Sequence, residues 1–239
     1  MSGPNPTTAV SAPGKVLLAG GYLVLDRKYT GLVLGLSARI NVVAEEINTI
    51  PGVQLTEIVV ESPQFQQAQW RYGYRLAEED GGIKITQLQV GTDMSKNPFV
   101  ETALSYALTY IAKVGNHGPS HSMKPARLTV LADNDYYSQP SDSSTSAPET
   151  IAHGAAPAGA RSSRFARFPT TLSGANKTGL GSSAALVTAL TAALLTHYLP
   201  PQFLEKWSSD KKVRVRLLGV KGEMEGVRME SLKEYEGWV

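Results

Sequence analysis

The residues best suited to chemistry are Lys177, Thr178, Gly179, Leu180, Gly181, Ser182, Ser183 and Ala184. Gly179 and Gly181 lack a Cβ, so the backbone can bend tightly there and bring its N–H groups close to a ligand. Ser182 and Ser183 add two hydroxyls, and Lys177 adds a positive charge. Ala184 to Leu195 follows with no Gly, Pro or charged residue, enough for about 18 Å of helix. The unpaired N–H groups of a first helical turn and the positive end of its dipole favour an anion, and phosphate in particular. A phosphate cradle at a helix start is the chemistry this spacing predicts. The plainer reading of the same residues is a glycine-rich loop leading into a core helix.

Other glycine motifs do not fit. A P-loop counted from Gly174 reaches Gly179 correctly but then meets Leu180 where Lys is required. Gly179, Gly181 and Ala184 satisfy a loose dinucleotide-binding pattern, yet Thr171 to Thr178 is too polar for the buried strand that must precede it, and the next acidic residue is as distant as Glu205. A nucleophile elbow around Ser183 would need glycine where Ala185 stands. A second candidate is Lys15, the one charged residue inside the apolar stretch Ala9 to Leu25, beside Gly14 where another segment or a ligand can come close. It reads either as a snorkelling side chain or as a fixed ammonium aimed at a phosphate or a proton acceptor.

The elements that must position these residues follow from periodicity and punctuation. Ala9 to Leu25 predicts a strand, a turn at Gly20-Gly21, and a second strand or short helix. Tyr29 to Ala44 predicts one or two strands, and Ile58 to Glu61, Gly82 to Val90 and Arg127 to Ala132 one strand each. Asn97-Pro98 opens a helix reaching Val114, with Phe99, Ala103, Tyr106, Ala107 and Tyr110 expected on its core face. Asp133-Asn134-Asp135 reads as a turn rather than a metal site. Residues 138–164, rich in Ser, Pro, Ala and Gly, are expected to form a flexible insertion with His153 solvated inside it, and Phe165 to Leu172 returns to strand-like sequence.

A chain of 239 residues can bury a substantial core. Its 23 basic and 21 acidic side chains are too balanced for a polyanion partner, so no nucleic acid is expected. The absence of cysteine excludes disulfides, thiolate metal sites and a cysteine nucleophile, and agrees with a cytoplasmic setting. No stretch suggests a signal peptide or a membrane span, so no membrane partner is expected.

Two separated motifs then resemble one family. Ser11 to Leu25, SAPGKVLLAGGYLVL, and Lys177 to Leu186, KTGLGSSAAL, are similar to the first and second signature motifs of the GHMP kinases. The likeness is greatest to the fungal-type phosphomevalonate kinase branch, on AGGYLVLD, on NPFVE at 97–101, on YYSQ at 136–139 and on Lys177 directly before TGLGSS. It covers about residues 9–204 apart from the insertion. The resemblance implies an α+β ATP-binding domain over 1–204, like the second domain of ribosomal protein S5, with 138–164 inserted in it. It also implies transfer of the γ-phosphoryl group of ATP to phosphomevalonate, with Mg²⁺, on the mevalonate route to isoprenoids and sterols. By that resemblance Lys15 is catalytic, Lys177 to Ala184 hold the ATP phosphates, and Ser183 helps to hold the metal.

The family continues with a C-terminal domain that carries much of the acceptor site, and this sequence does not. In residues 205–239, 15 of 35 are charged and the likeness ends near Lys212. An aberrant, poorly ordered tail and a truncated, poorly active enzyme are therefore expected. The alternative is a non-catalytic nucleotide-binding or interaction module.

Overall fold

Alternating polarity along the strands gives this chain a sheet with two unlike faces. The structure is a computed structural model that describes residues 5–50, 55–77, 82–88, 96–115, 123–138, 164–200 and 226–239. Within them run β1 (Thr8–Ala19), β2 (Leu32–Glu46), β3 (Glu57–Glu61), β4 (Gln69–Leu76), β5 (Ile83–Leu88), α1 (Pro98–Val114), β6 (Ala126–Ala132), α2 (Ser182–Tyr198) and β7 (Arg228–Met229). The strands form one sheet in the order β5-β4-β3-β6-β2-β1-β7. All neighbours are antiparallel except β3 and β6. The architecture is α+β, as expected.

Because successive strand residues point to opposite faces, Val10, Ile40, Val42 and Leu128 join the large core under the helices, while Ala9, Val43 and Leu131 form a smaller cluster on the other face. Helix α2 lies on β1 and β2, and α1 packs against α2 and β5. Ala185, Ala189 and Ala193 are buried at intervals of four on α2, so small side chains let that helix sit close to the sheet.

Asn97 caps α1 by accepting from the Val100 N–H, with Pro98 in the first turn, as the sequence predicts. The core face of α1 needs correction. Its buried residues are Val100, Ala103, Leu104, Ala107, Leu108 and Ile111, whereas Phe99, Tyr106 and Tyr110 are 52%, 77% and 46% exposed. Ala103 and Ala107 of the expected face are buried, while the three aromatic residues, at spacings of seven and four, each precede a buried residue: Val100, Ala107 and Ile111. Such a one-residue step turns a helix by about 100°. Two further differences concern strands. β4 was not among the expected ones, although Trp70, Tyr72 and Tyr74 alternate as buried residues along it. Phe165 to Leu172 is irregular chain whose aromatic rings are anchors, Phe168 stacking on Phe65 at 5.1 Å between centroids and Phe165 on Tyr235 at 5.9 Å.

Residues 139–163 of the expected insertion, His153 included, lie outside the described residues. Both ends of it are tied down: the Ser138 N–H donates to the Asn176 carbonyl at 2.9 Å, and Arg164 pairs with Asp133 at 2.8 Å and with Glu234 at 2.6 Å. In the tail, 205–225 is likewise outside the described residues. Residues 226–239 pack on the sheet: β7 adds to the edge of β1 at Val10 and Ser11, and Tyr235 is buried with Ala9, Val43, Leu131 and Phe165. Its hydroxyl donates to Asn41 at 3.1 Å. Arg39, fully buried, donates to Ser11 and to the Gly226 carbonyl, and Ser11 donates to Glu230. A high fraction of charge does not prevent packing when those charges meet buried polar partners.

Candidate active site

The site begins where β1 leaves the core. Thr8 to Ala12 are buried and Lys15 is exposed, with a register shift against β2 between Pro13 and Lys15. That shift is where Gly14 becomes necessary. A Cβ on it would lie 2.6 Å from the Tyr136 hydroxyl oxygen and 2.7 Å from the Leu180 carbonyl oxygen. The glycine turn has therefore come up against β1, and the Lys15 N–H donates to that same Leu180 carbonyl at 3.1 Å. The approach is mutual: a Cβ on Gly181 would lie 2.8 Å from the Lys15 carbonyl oxygen. The two candidate stretches found in the sequence thus meet at their glycines.

Gly179 and Gly181 both have positive φ, 79° and 72°, and Gly181 is the residue from which α2 starts. The N–H groups of the first turn have no intrahelical partners, and no side chain among the described residues caps that start; the first helical bond observed there runs from the Ala185 N–H to the Gly181 carbonyl at 3.4 Å. Ser182, Ser183 and Ala184 are half-exposed, and Lys15, Lys177, Thr178 and Gly179 are exposed. The turn accordingly presents backbone donors, two hydroxyls and nearby lysines to solvent.

A segment that the sequence reading treated only as a turn holds this arrangement from the other side. Asp133 accepts from the Arg39 N–H at 2.8 Å and from Arg164, and a short 3₁₀ turn, Asn134–Tyr136, follows it. The Tyr136 side chain packs in the core and its hydroxyl donates to the Ala38 carbonyl at 3.1 Å. Burial pushes its phenol well above the ordinary value of 10, with Asp133 adding to the rise, so it stays a donor. Tyr137 bridges to Lys177, and Thr178 bonds to this segment through both its N–H and its hydroxyl. The resemblance marks Tyr136 within YYSQ, but its packing role comes from contacts distant along the chain and is not legible in local sequence. Among the described residues no group of three or more His, Cys, Asp or Glu could hold a metal ion, and no helix is long and apolar enough to cross a membrane.

A mixed sheet carrying an anion-ready helix start, locked at its glycines to a lysine on the first strand, is the arrangement that joins the two GHMP kinase motifs. By sequence the chain belongs to that family, within its phosphomevalonate kinase branch. It is 64% identical over 214 residues to the phosphomevalonate kinase of Gibberella zeae, covering 90% of this chain and 45% of that protein. It is 42% identical to the phosphomevalonate kinase of Aspergillus fumigatus, covering 81% of this chain and 42% of that one. A peroxisomal phosphomevalonate kinase of Arabidopsis thaliana is 35% identical over 79% of this chain and 39% of its own length. The chain therefore spans less than half the length of these curated relatives. No family model matches it. Among solved structures, a Listeria innocua protein aligns with a TM-score of 0.45 at 16% identity, over 82% of this chain and 38% of that one. A mevalonate kinase aligns with a TM-score of 0.38 at 13% identity, over 83% and 44%.

Proposed function

We propose that this chain carries the ATP-binding half of a phosphomevalonate-kinase-type phosphotransferase, with residues 1–204 as its nucleotide domain. The reaction of the whole protein would move the γ-phosphoryl group of ATP to phosphomevalonate in the cytoplasm. One observation carries the reading: Gly14-Lys15 and Leu180-Gly181 pack so closely that neither glycine tolerates a Cβ, which sets Lys15 beside a helix start suited to phosphate. Lys177 and the backbone from Gly179 to Ala184 would hold the phosphates. The oxygen donors at the turn fit a hard cation: Ser183 would give Mg²⁺ one ligand, and the phosphates would supply most of the rest. When bound, that ion would neutralise charge on the β- and γ-phosphates. Lys15 would supply positive charge near the group in transfer. The site needs no charged nucleophile of its own, because phosphoryl transfer depends mainly on positioning and charge stabilisation.

The test is a calorimetric titration with Mg-ATP, paired with a coupled ADP-release assay containing phosphomevalonate. We expect saturable binding that weakens about tenfold in Lys15→Ala, equivalent to about 1.4 kcal/mol, and turnover near background. Absence of binding overturns the reading. Robust turnover lost in Lys15→Ala would show that the acceptor site is complete in this chain. A second reading, a non-catalytic nucleotide-binding or interaction module, is favoured by the hairpin between β1 and β2, where Tyr22 and Leu25 are 92% and 83% exposed as part of an apolar surface of the kind that partners cover.

A further inference from the structure

We propose that Thr178 is a positioning residue that clamps the glycine turn to the Asp135-Tyr136 backbone, and that it is not itself a phosphate ligand. The proposal rests on the nucleotide reading above. Thr178 lies inside the motif, but both of its donors are committed elsewhere. Its N–H donates to the Tyr136 carbonyl at 3.1 Å, and its hydroxyl donates to the Asp135 carbonyl at 2.7 Å. A threonine has one N–H and one O–H to give, and an ionised phosphate offers only acceptors. Nothing at Thr178 is left to bind one.

The clamp has a clear mechanical purpose. A Cβ at Gly179 would meet no described residue within 4 Å, so among the described residues nothing packs on the outer side of that bend, at φ 79°. The position of the turn is therefore set at its two flanks. On one, the Leu180 carbonyl accepts from the Lys15 N–H; on the other, Thr178 holds the 3₁₀ turn. The bonding continues outward through the Tyr137–Lys177 bridge and the bond from the Ser138 N–H to the Asn176 carbonyl. Tyr136 connects the flanks, since its main-chain carbonyl accepts from Thr178 while its hydroxyl oxygen lies 2.6 Å from where a Gly14 Cβ would sit. Asp133, at the base of the 3₁₀ turn, is fixed by Arg39, Asn41 and Arg164. One rigid segment thus registers the second motif against the first.

The experiment compares the full chain with Thr178→Val, which keeps the shape and the N–H but loses the hydroxyl, and with Thr178→Ser, which restores it. Amide hydrogen exchange is read at 177–183, and Mg-ATP affinity is read by calorimetry. The expected result in Thr178→Val is exchange about tenfold faster at those amides with the α2 interior unchanged, together with an affinity loss of about fivefold or more. Thr178→Ser is expected to recover both. Unchanged exchange in Thr178→Val overturns the clamp, as does a Ser variant that behaves like Val. Lost affinity with unchanged exchange would make the hydroxyl a direct ligand and overturn it too. If the parent chain binds no Mg-ATP, the nucleotide reading fails while the exchange data still decide the clamp. If Thr178→Val does not fold, Thr178→Ala, which also loses the hydroxyl, takes its place: faster exchange at 177–183 with the α2 interior unchanged supports the clamp, and unchanged exchange overturns it.

Discussion

Gly179 and Gly181 have similar backbone angles but different surroundings, and the difference separates two kinds of constraint. Gly179 at φ 79° has open space where a Cβ would go, while Gly181 at φ 72° has the Lys15 carbonyl 2.8 Å away. An alanine at 179 meets only the left-handed strain, about 1–2 kcal/mol. An alanine at 181 meets that strain and must also push β1 away from the turn. Urea unfolding is expected to show Gly181→Ala losing about 2–4 kcal/mol, roughly twice the loss in Gly179→Ala. Equal losses would mean that β1 gives way freely. The demand for two glycines was legible in the sequence, because positive φ is a local property of a tight turn. That Gly181 faces Lys15, and that Gly14 faces Leu180 and Tyr136, was not, because both facts concern chain that is distant in sequence.

At the scale of elements, α1 shows how a periodic pattern can fix a helix without fixing its rotation. Its start at Asn97-Pro98 was readable from the cap, but the aromatic stripe Phe99, Tyr106 and Tyr110 drew the core face about one residue out of place. The neighbouring aliphatic stripe wins because Leu104, Leu108 and Ile111 pack beneath the helix in the main core. Leu104→Ala is expected to cost about 2–5 kcal/mol through the lost burial and the cavity it leaves. Tyr106→Ala is expected to stay within about 0.5 kcal/mol, as for other exposed positions. Chemical denaturation of both variants checks this, and a Tyr106 variant as damaging as the Leu104 one would return the aromatic face to the core. β4 escaped the sequence reading although its alternation is regular. Three large aromatics interleaved with Arg71, Gly73 and Arg75 resemble a surface stretch until they are seen facing α1 and α2.

For the whole molecule, the described residues close on themselves at both ends. Near the start, Pro6 is held by His197 at the end of α2, where the ring Nδ1 lies 2.8 Å from the Pro6 carbonyl oxygen and is taken as the donor. Nε2 is buried with no hydrogen-bond partner among the described residues. Burial lowers the pKa of this histidine below the ordinary 6.5, outweighing the opposing influence of the Pro6 bond and of Glu46. In the unfolded chain the imidazole takes up a proton first, so the fold is fully stable with respect to this group above about pH 6.5 and loses stability as pH falls below it. Melting temperature is expected to drop between pH 7 and pH 5, with a shallower drop in His197→Asn; matching slopes would show that other groups set the acid limit. At the far end, Tyr235 and Trp238 cover Phe165 and part of the second sheet face, a packing that composition alone argued against. Charge content describes solvation in isolation, whereas Arg39, Glu230, Arg164 and Glu234 find one another only after the sheet has formed. The sequence by itself determined the chemistry of the glycine turn, since glycine spacing, hydroxyls and an apolar run are properties of contiguous residues, as are the paired motifs that identify the family. Only the tertiary structure decided what the turn rests on. Its contacts with Lys15, Tyr136 and the Asp133 anchor join parts of the chain that have no reason to meet until burial of the strands and helices brings them together.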